Sequence, residues 1–123
     1  WAKVAEDAVA IAAGFHHSLY LLSTGKLLAG GRSDSGQLGV QQNAPVLTPL
    51  AVAEGVAAIF ARGAYSAYIT SQGSLYSTRF SATGGAFSKL ADDIQDAAAG
   101  YEHLLWISRT GRFRLWPRSR AQY

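Results

Sequence analysis

Cysteine and methionine are both absent from the 123 residues. No disulfide framework, thiol nucleophile or thiolate metal site can form, and cysteine usage gives no reading of the redox compartment. Charge is also scarce. Only 15% of the residues are Asp, Glu, Lys or Arg, which is low for an isolated soluble domain and suits a piece whose faces are covered by other protein. Long apolar runs are missing. The stretch AVAIAAGF at Ala8–Phe15 falls far short of the roughly 20 residues a membrane helix needs, so no membrane insertion is expected. No signal-peptide pattern is present, and a chain that opens on Trp1 is expected to be cleaved, trimmed or excerpted from something longer.

What is present is apolar and repetitive. Hydrophobic residues make up 49% of the chain, enough for a core in one compact domain. Three 13-residue segments are near copies: AGFHHSLYLLSTG at Ala13–Gly25, ARGAYSAYITSQG at Ala61–Gly73 and AGYEHLLWISRTG at Ala99–Gly111. Their starts lie 48 and then 38 residues apart, a period that marks solenoids and propellers. Within each segment the apolar period is two, which predicts a strand. Each strand ends in a polar pair and a glycine, at Gly25, Gly73 and Gly111, as a tight hairpin requires. A second short strand follows each turn: Lys26–Gly31, Ser74–Thr78 and Arg112–Trp116. Ahead of each hairpin an Ala-rich run, Ala8–Gly14, Val56–Gly63 or Ile94–Gly100, predicts a buried inner strand that packs closely near an axis. The connections differ, with Arg32–Pro49 read as a long polar loop and Arg79–Lys89 as a shorter one. The units therefore span approximately 5–50, 51–90 and 91–123, within a single partial propeller domain over 1–123.

The first unit carries more than a period. The segment AIAAGFHHSLYLLSTGKLLAGGRSDSGQLGV at Ala10–Val40 resembles the repeat of the regulator of chromosome condensation family. Gly14, His17, Ser18, Gly25, Gly31, Gly36, Gln37, Leu38 and Gly39 match that pattern, and Gly30 stands where the family has Trp. The second unit keeps Ser66, Gly73 and Gly84 but has Tyr65 at the His position, and Thr78 and Arg79 in place of Trp-Gly. The third keeps Gly100, His103, Gly111 and Trp116, with Pro117 where Gly is expected. The resemblance implies an all-β fold: a partial β-propeller of about three four-stranded antiparallel blades, a sector of a seven-bladed ring. Three blades cannot close such a ring. An open sector would expose the apolar faces of its end blades, so the chain is expected to continue into a longer propeller or to complete its fold against another chain.

Candidate chemistry is thin. His17 and His103 are repeat-equivalent and read as structural, each bonding a neighbouring loop backbone; His16 and His17 point to opposite faces and cannot readily share an ion. Asp92, Asp93 and Asp96 lack the alternating oxygen ligands and central glycine of a calcium loop. The glycines Gly30, Gly31, Gly36 and Gly39 have neither dinucleotide nor P-loop spacing. Ser18 beside His17 is no triad, since neighbouring strand residues face apart. Trp1, Trp106 and Trp116 read as core. No catalytic, cofactor or metal site is expected.

The remaining candidates are contact residues. Five of the eleven basic residues, Arg109, Arg112, Arg114, Arg118 and Arg120, fall in the last fifteen positions, and Arg112, Arg114, Arg118 and Arg120 are candidates for an acidic partner. Phe15 and Tyr101, each beside the glycine of a first turn, are candidates at a propeller rim. The structural repeat positions are Gly14, His17, Gly25, Gly36, Gln37, Gly39, Gly73, Gly100, His103 and Gly111. The expected function is non-enzymatic: a protein-binding or scaffolding surface, with a protein partner or the remainder of a longer propeller. The alternatives are a guanine-nucleotide exchange factor or chromatin-associated propeller, with nucleic acid weakly supported by the basic tail, and a glycan-binding propeller.

Overall fold

A computed structural model describes residues 7–33, 42–63, 65–78, 87–100 and 104–116, with backbone alone at 32–33, 42–48 and 114–116. Every regular element among them is a strand, and every pairing is antiparallel. The first sheet orders β1 (Ala8–Ala13), β2 (His17–Leu22), β3 (Leu27–Ser33) and β4 (Gln42–Ala53). The second orders β5 (Val56–Arg62), β6 (Tyr65–Thr70), β7 (Leu75–Ser77) and β8 (Ser88–Ala91). The third holds β9 (Ile94–Ala99), β10 (Leu104–Ser108) and β11 (Phe113–Trp116). Each sheet is a meander, in which every strand pairs with its neighbour in sequence.

The connection expected over Arg32–Pro49 is largely strand: β3 runs on through Ser33 and β4 begins at Gln42. Pro45 and Pro49 disguise β4, because proline breaks a central ladder. An outermost strand tolerates it, and β4 is outermost in its sheet. The three Ala-rich runs are strands β1, β5 and β9, the first strand of each blade, but they are not the buried strands expected: β1 has no buried residue, and β5 and β9 bury only Val56 and Ile94.

The blades pack face to face, and the core lies in the two clefts between them. The first cleft joins Leu19, Leu21, Leu27 and Ala29 of the first blade to Val56 and Tyr68 of the second, flanked by Ala10, Ala12, Ile59 and Ala61. Tyr68 stacks on Tyr76 at 5.0 Å between ring centroids and meets Phe87 edge-on at 4.8 Å. The second cleft joins Ala67, Ile69 and Leu75 to Ile94, Leu104 and Trp106, flanked by Ala58, Phe60, Ala97 and Ala99. Alternation makes this possible. A strand of period two offers one row of side chains to each neighbour, so a middle blade needs both rows apolar.

Backbone bonds repeat the joint. The N–H of Val56 donates to Gly25 O, and that of Ile94 to Gly73 O, both at 2.9 Å. Gly25 and Gly73 thus each anchor the first residue of the following blade. All three hairpins close identically, with Gly25, Gly73 and Gly111 at φ 86°, 90° and 87°, a region where a Cβ is strained.

Candidate interaction surface

The repeated turn positions sort themselves to opposite ends of the blades. Gly14 and Gly100 end inner strands β1 and β9, and His17 starts β2. His17 is 3% exposed, and its Nε2 lies 3.1 Å from the Tyr65 carbonyl of the second blade. A carbonyl only accepts, so Nε2 carries the proton. Nδ1 is left bare and has no partner among the described residues. Desolvation by burial holds the His17 pKa below its ordinary value, aided by His16 and opposed by the Tyr65 carbonyl. Gly14 makes room for this ring: a Cβ there would meet His17 Cε1 and lie 2.6 Å from Nδ1 and 2.8 Å from Gly63 O.

Tyr65 occupies the repeat position of His17. Its hydroxyl donates to Gly100 O at 2.6 Å, one blade further on. Two different side chains therefore do one job, each reaching the backbone of the next blade. His103, the third equivalent, lies outside the described residues, as do Gly36, Gln37, Gly39, Tyr101, Arg118 and Arg120.

The described contact candidates do not share a surface. Phe15 is 60% exposed in the β1–β2 connection, with its N–H on Gly63 O at 2.8 Å and its ring tilted against His16. Arg112 is exposed in the β10–β11 turn, where its N–H bonds Ser108 Oγ at 3.2 Å. These two turns flank opposite ends of their blades, because successive hairpins reverse the chain. Arg114 lies on β11 by its backbone. Arg109 has a structural place: its guanidinium packs where a Gly73 Cβ would sit, 2.9 Å from Nη2.

The uncovered end-blade faces expected of an open sector are lined by particular residues that the sequence reading did not name. Leu19, Leu21 and Leu27 of the first blade are buried by the second, and their equivalents Ala67, Ile69 and Leu75 are buried by the third. The next equivalents, Leu105, Ile107 and Phe113, line an open groove on the far side of the third blade together with Asp96 and Ala98. Leu75 is 0% exposed and Phe113 75%. At the other end, Ile59 lies in the first cleft, whereas its first-blade equivalent Ile11 is 76% exposed. The signal was available in the repeat alignment, which pairs 27, 75 and 113 directly. Among the described residues no group of three His, Asp or Glu side chains is placed to hold a metal ion.

Comparison with known proteins agrees with this geometry. Residues 8–37 match the family model described as the regulator of chromosome condensation (RCC1) repeat. No curated protein matches the sequence. Among solved structures, human WBSCR16 superposes with a TM-score of 0.75 at 18% identity, covering 89% of this chain and 32% of that one. Yeast RCC1 (Prp20), solved bound to Kap60, gives 0.74 at 23% identity, covering 89% and 32%. Prp20p from Saccharomyces cerevisiae, described with its binding to Gsp1p and histones, gives 0.73 at 23%, covering 89% and 33%. The chain spans about a third of the length of these proteins. Residues 8–37 match the RCC1 repeat, and the chain has the fold of a β-propeller sector, three antiparallel blades packed side by side.

Proposed function

We propose that this chain is a non-enzymatic, protein-binding sector of an RCC1-type propeller, which presents its end-blade faces to further blades or to another protein. The observation that carries the reading is the uncovered row Leu105, Ile107 and Phe113, whose equivalents in both preceding blades are buried against a neighbouring sheet. Exposed contiguous apolar surface of this kind marks an interaction site. Rigid blades also hold their faces ready, which lowers the ordering cost of association. Yeast Prp20p, with its binding to Gsp1p and histones, shows a protein-binding role on the same fold.

A hydrophobic dye tests the reading. The folded 123-residue chain should enhance the fluorescence of such a dye, and Leu105→Ser with Phe113→Ser should remove much of that signal without shifting the unfolding midpoint. A folded chain that binds no dye overturns the proposal.

A further inference from the structure

Each blade joint is held in two different ways at its two ends. The chain crosses from the first blade to the second through Glu54 and Gly55, between β4 and β5, beside the bond from Val56 N–H to Gly25 O. At the other end of the cleft no chain crosses. The described bonds there are Phe15 N–H to Gly63 O at 2.8 Å and His17 Nε2–H to the Tyr65 carbonyl at 3.1 Å. The second joint repeats the plan. Its chain crosses through Asp92 and Asp93, and Tyr65 reaches Gly100 O from the opposite end. Both joints lie inside the stack, away from its end faces.

The two latches differ in one chemical respect. An imidazole takes up a proton between about pH 5 and 8, where a phenol stays neutral. The His17 ring is buried with Nδ1 facing Gly14, where a Cβ would lie 2.6 Å away, and Nδ1 has no hydrogen-bond partner among the described residues. At this end of the surrounding elements the titratable or charged groups described are four. They are His16 beside the ring, Arg62 at the end of β5, Arg32 beside Gly31 on β3, and the Tyr65 hydroxyl, already donated to Gly100 O. None is a carboxylate. A proton on Nδ1 would place a charge inside the joint with no acceptor for it, and burial accordingly holds the His17 pKa below its ordinary value. Withdrawing the ring into water removes that cost and leaves the Glu54–Gly55 crossing as the pivot.

We propose that His17 is an acid-sensitive latch on the joint between the first two blades. Its protonation opens the Phe15–Gly63 end of that cleft about the Glu54–Gly55 crossing, while the second joint, latched by Tyr65, stays shut. The replacement of His by Tyr between successive repeats thus confines the response to one joint.

NMR on the intact 123-residue chain tests it. Imidazole nitrogen shifts should show the Nε2–H tautomer of His17 at neutral pH. Amide protection factors, which discount the intrinsic pH dependence of exchange, should fall at Phe15 between about pH 7.5 and 5.5. The fall should be several-fold and no more than about tenfold, the limit set by an open-state pKa near 6.5. Val56, at the crossing end of the same joint, and Ile94, at the second joint, should keep their protection. His17→Gln should abolish the fall, and His16→Gln should leave it in place. Constant protection at Phe15 overturns the proposal, and so does an equal fall at Phe15, Val56 and Ile94, which is whole-chain unfolding instead of a latch. A response that survives His17→Gln, or vanishes in His16→Gln, assigns the proton elsewhere and also overturns it. If His17→Gln does not fold, the wild-type ring decides: its titration midpoint must coincide with the change at Phe15, and a mismatch overturns the proposal.

Discussion

Leu75 and Phe113 hold one position in successive repeats, so truncating each to alanine compares a covered with an uncovered blade face. Leu75 is fully buried in the second cleft among Ile69, Ile94, Leu104 and Trp106. Removing its three terminal carbons loses about 2.4 kcal/mol of transfer free energy at roughly 0.8 kcal/mol each. The cavity left behind raises the cost toward the upper part of the ~2–5 kcal/mol range for buried leucines. Phe113 is three-quarters exposed, so Phe113→Ala should change stability by no more than about 0.5 kcal/mol, although it deletes the larger side chain. Urea unfolding followed by circular dichroism reads both variants as midpoint shifts at constant slope. If Phe113→Ala costs as much as Leu75→Ala, the third blade is covered in solution by something within the chain itself, and the argument from repeat-equivalent burial fails.

Three further outcomes follow from the blade joints. Gly14→Ala should destabilise by about 1–3 kcal/mol, through overpacking against the His17 ring and Gly63 O rather than through φ, and thermal melts would read it. Tyr65→Phe should cost about 1 kcal/mol by leaving Gly100 O without its 2.6 Å donor, and amide exchange should quicken at the second cleft before the first. His17 should make the first joint acid-sensitive. Its folded-state pKa lies below the unfolded value of about 6.5, so the unfolded chain takes up its proton first. Stability is then full above pH 6.5 and is lost as pH falls from there through the folded pKa. Unfolding midpoints from pH 7.5 to 5 should show this slope, and His17→Gln should flatten it; a slope unchanged in the variant assigns it to another group.

The strand frame was legible because its determinants are local. Period-two apolar runs at His17–Leu22 and Leu104–Ser108, closed by Gly25 and Gly111, specify strand and hairpin within a dozen residues. The repeat offset carried the same assignment to Tyr65–Thr70, where His gives way to Tyr. Strand β4 escaped because Pro45 and Pro49 read as loop until its place at the sheet edge is known. The contact residues were less legible. Phe15 and Arg112 both look like surface residues in sequence, yet their turns sit at opposite ends of the blades. That relation depends on how many times the chain reverses between them.

The amino-acid sequence by itself determined the repeat, the glycine hairpins and the three-blade order, because φ preference and side-chain alternation act between near neighbours. Only the tertiary structure decided which face of each blade is covered. Leu75 and Phe113 are the same kind of residue at the same repeat position, and one is core while the other is surface. The difference lies in whether another sheet stands about one side-chain layer away, and no local pattern encodes the presence of a neighbour.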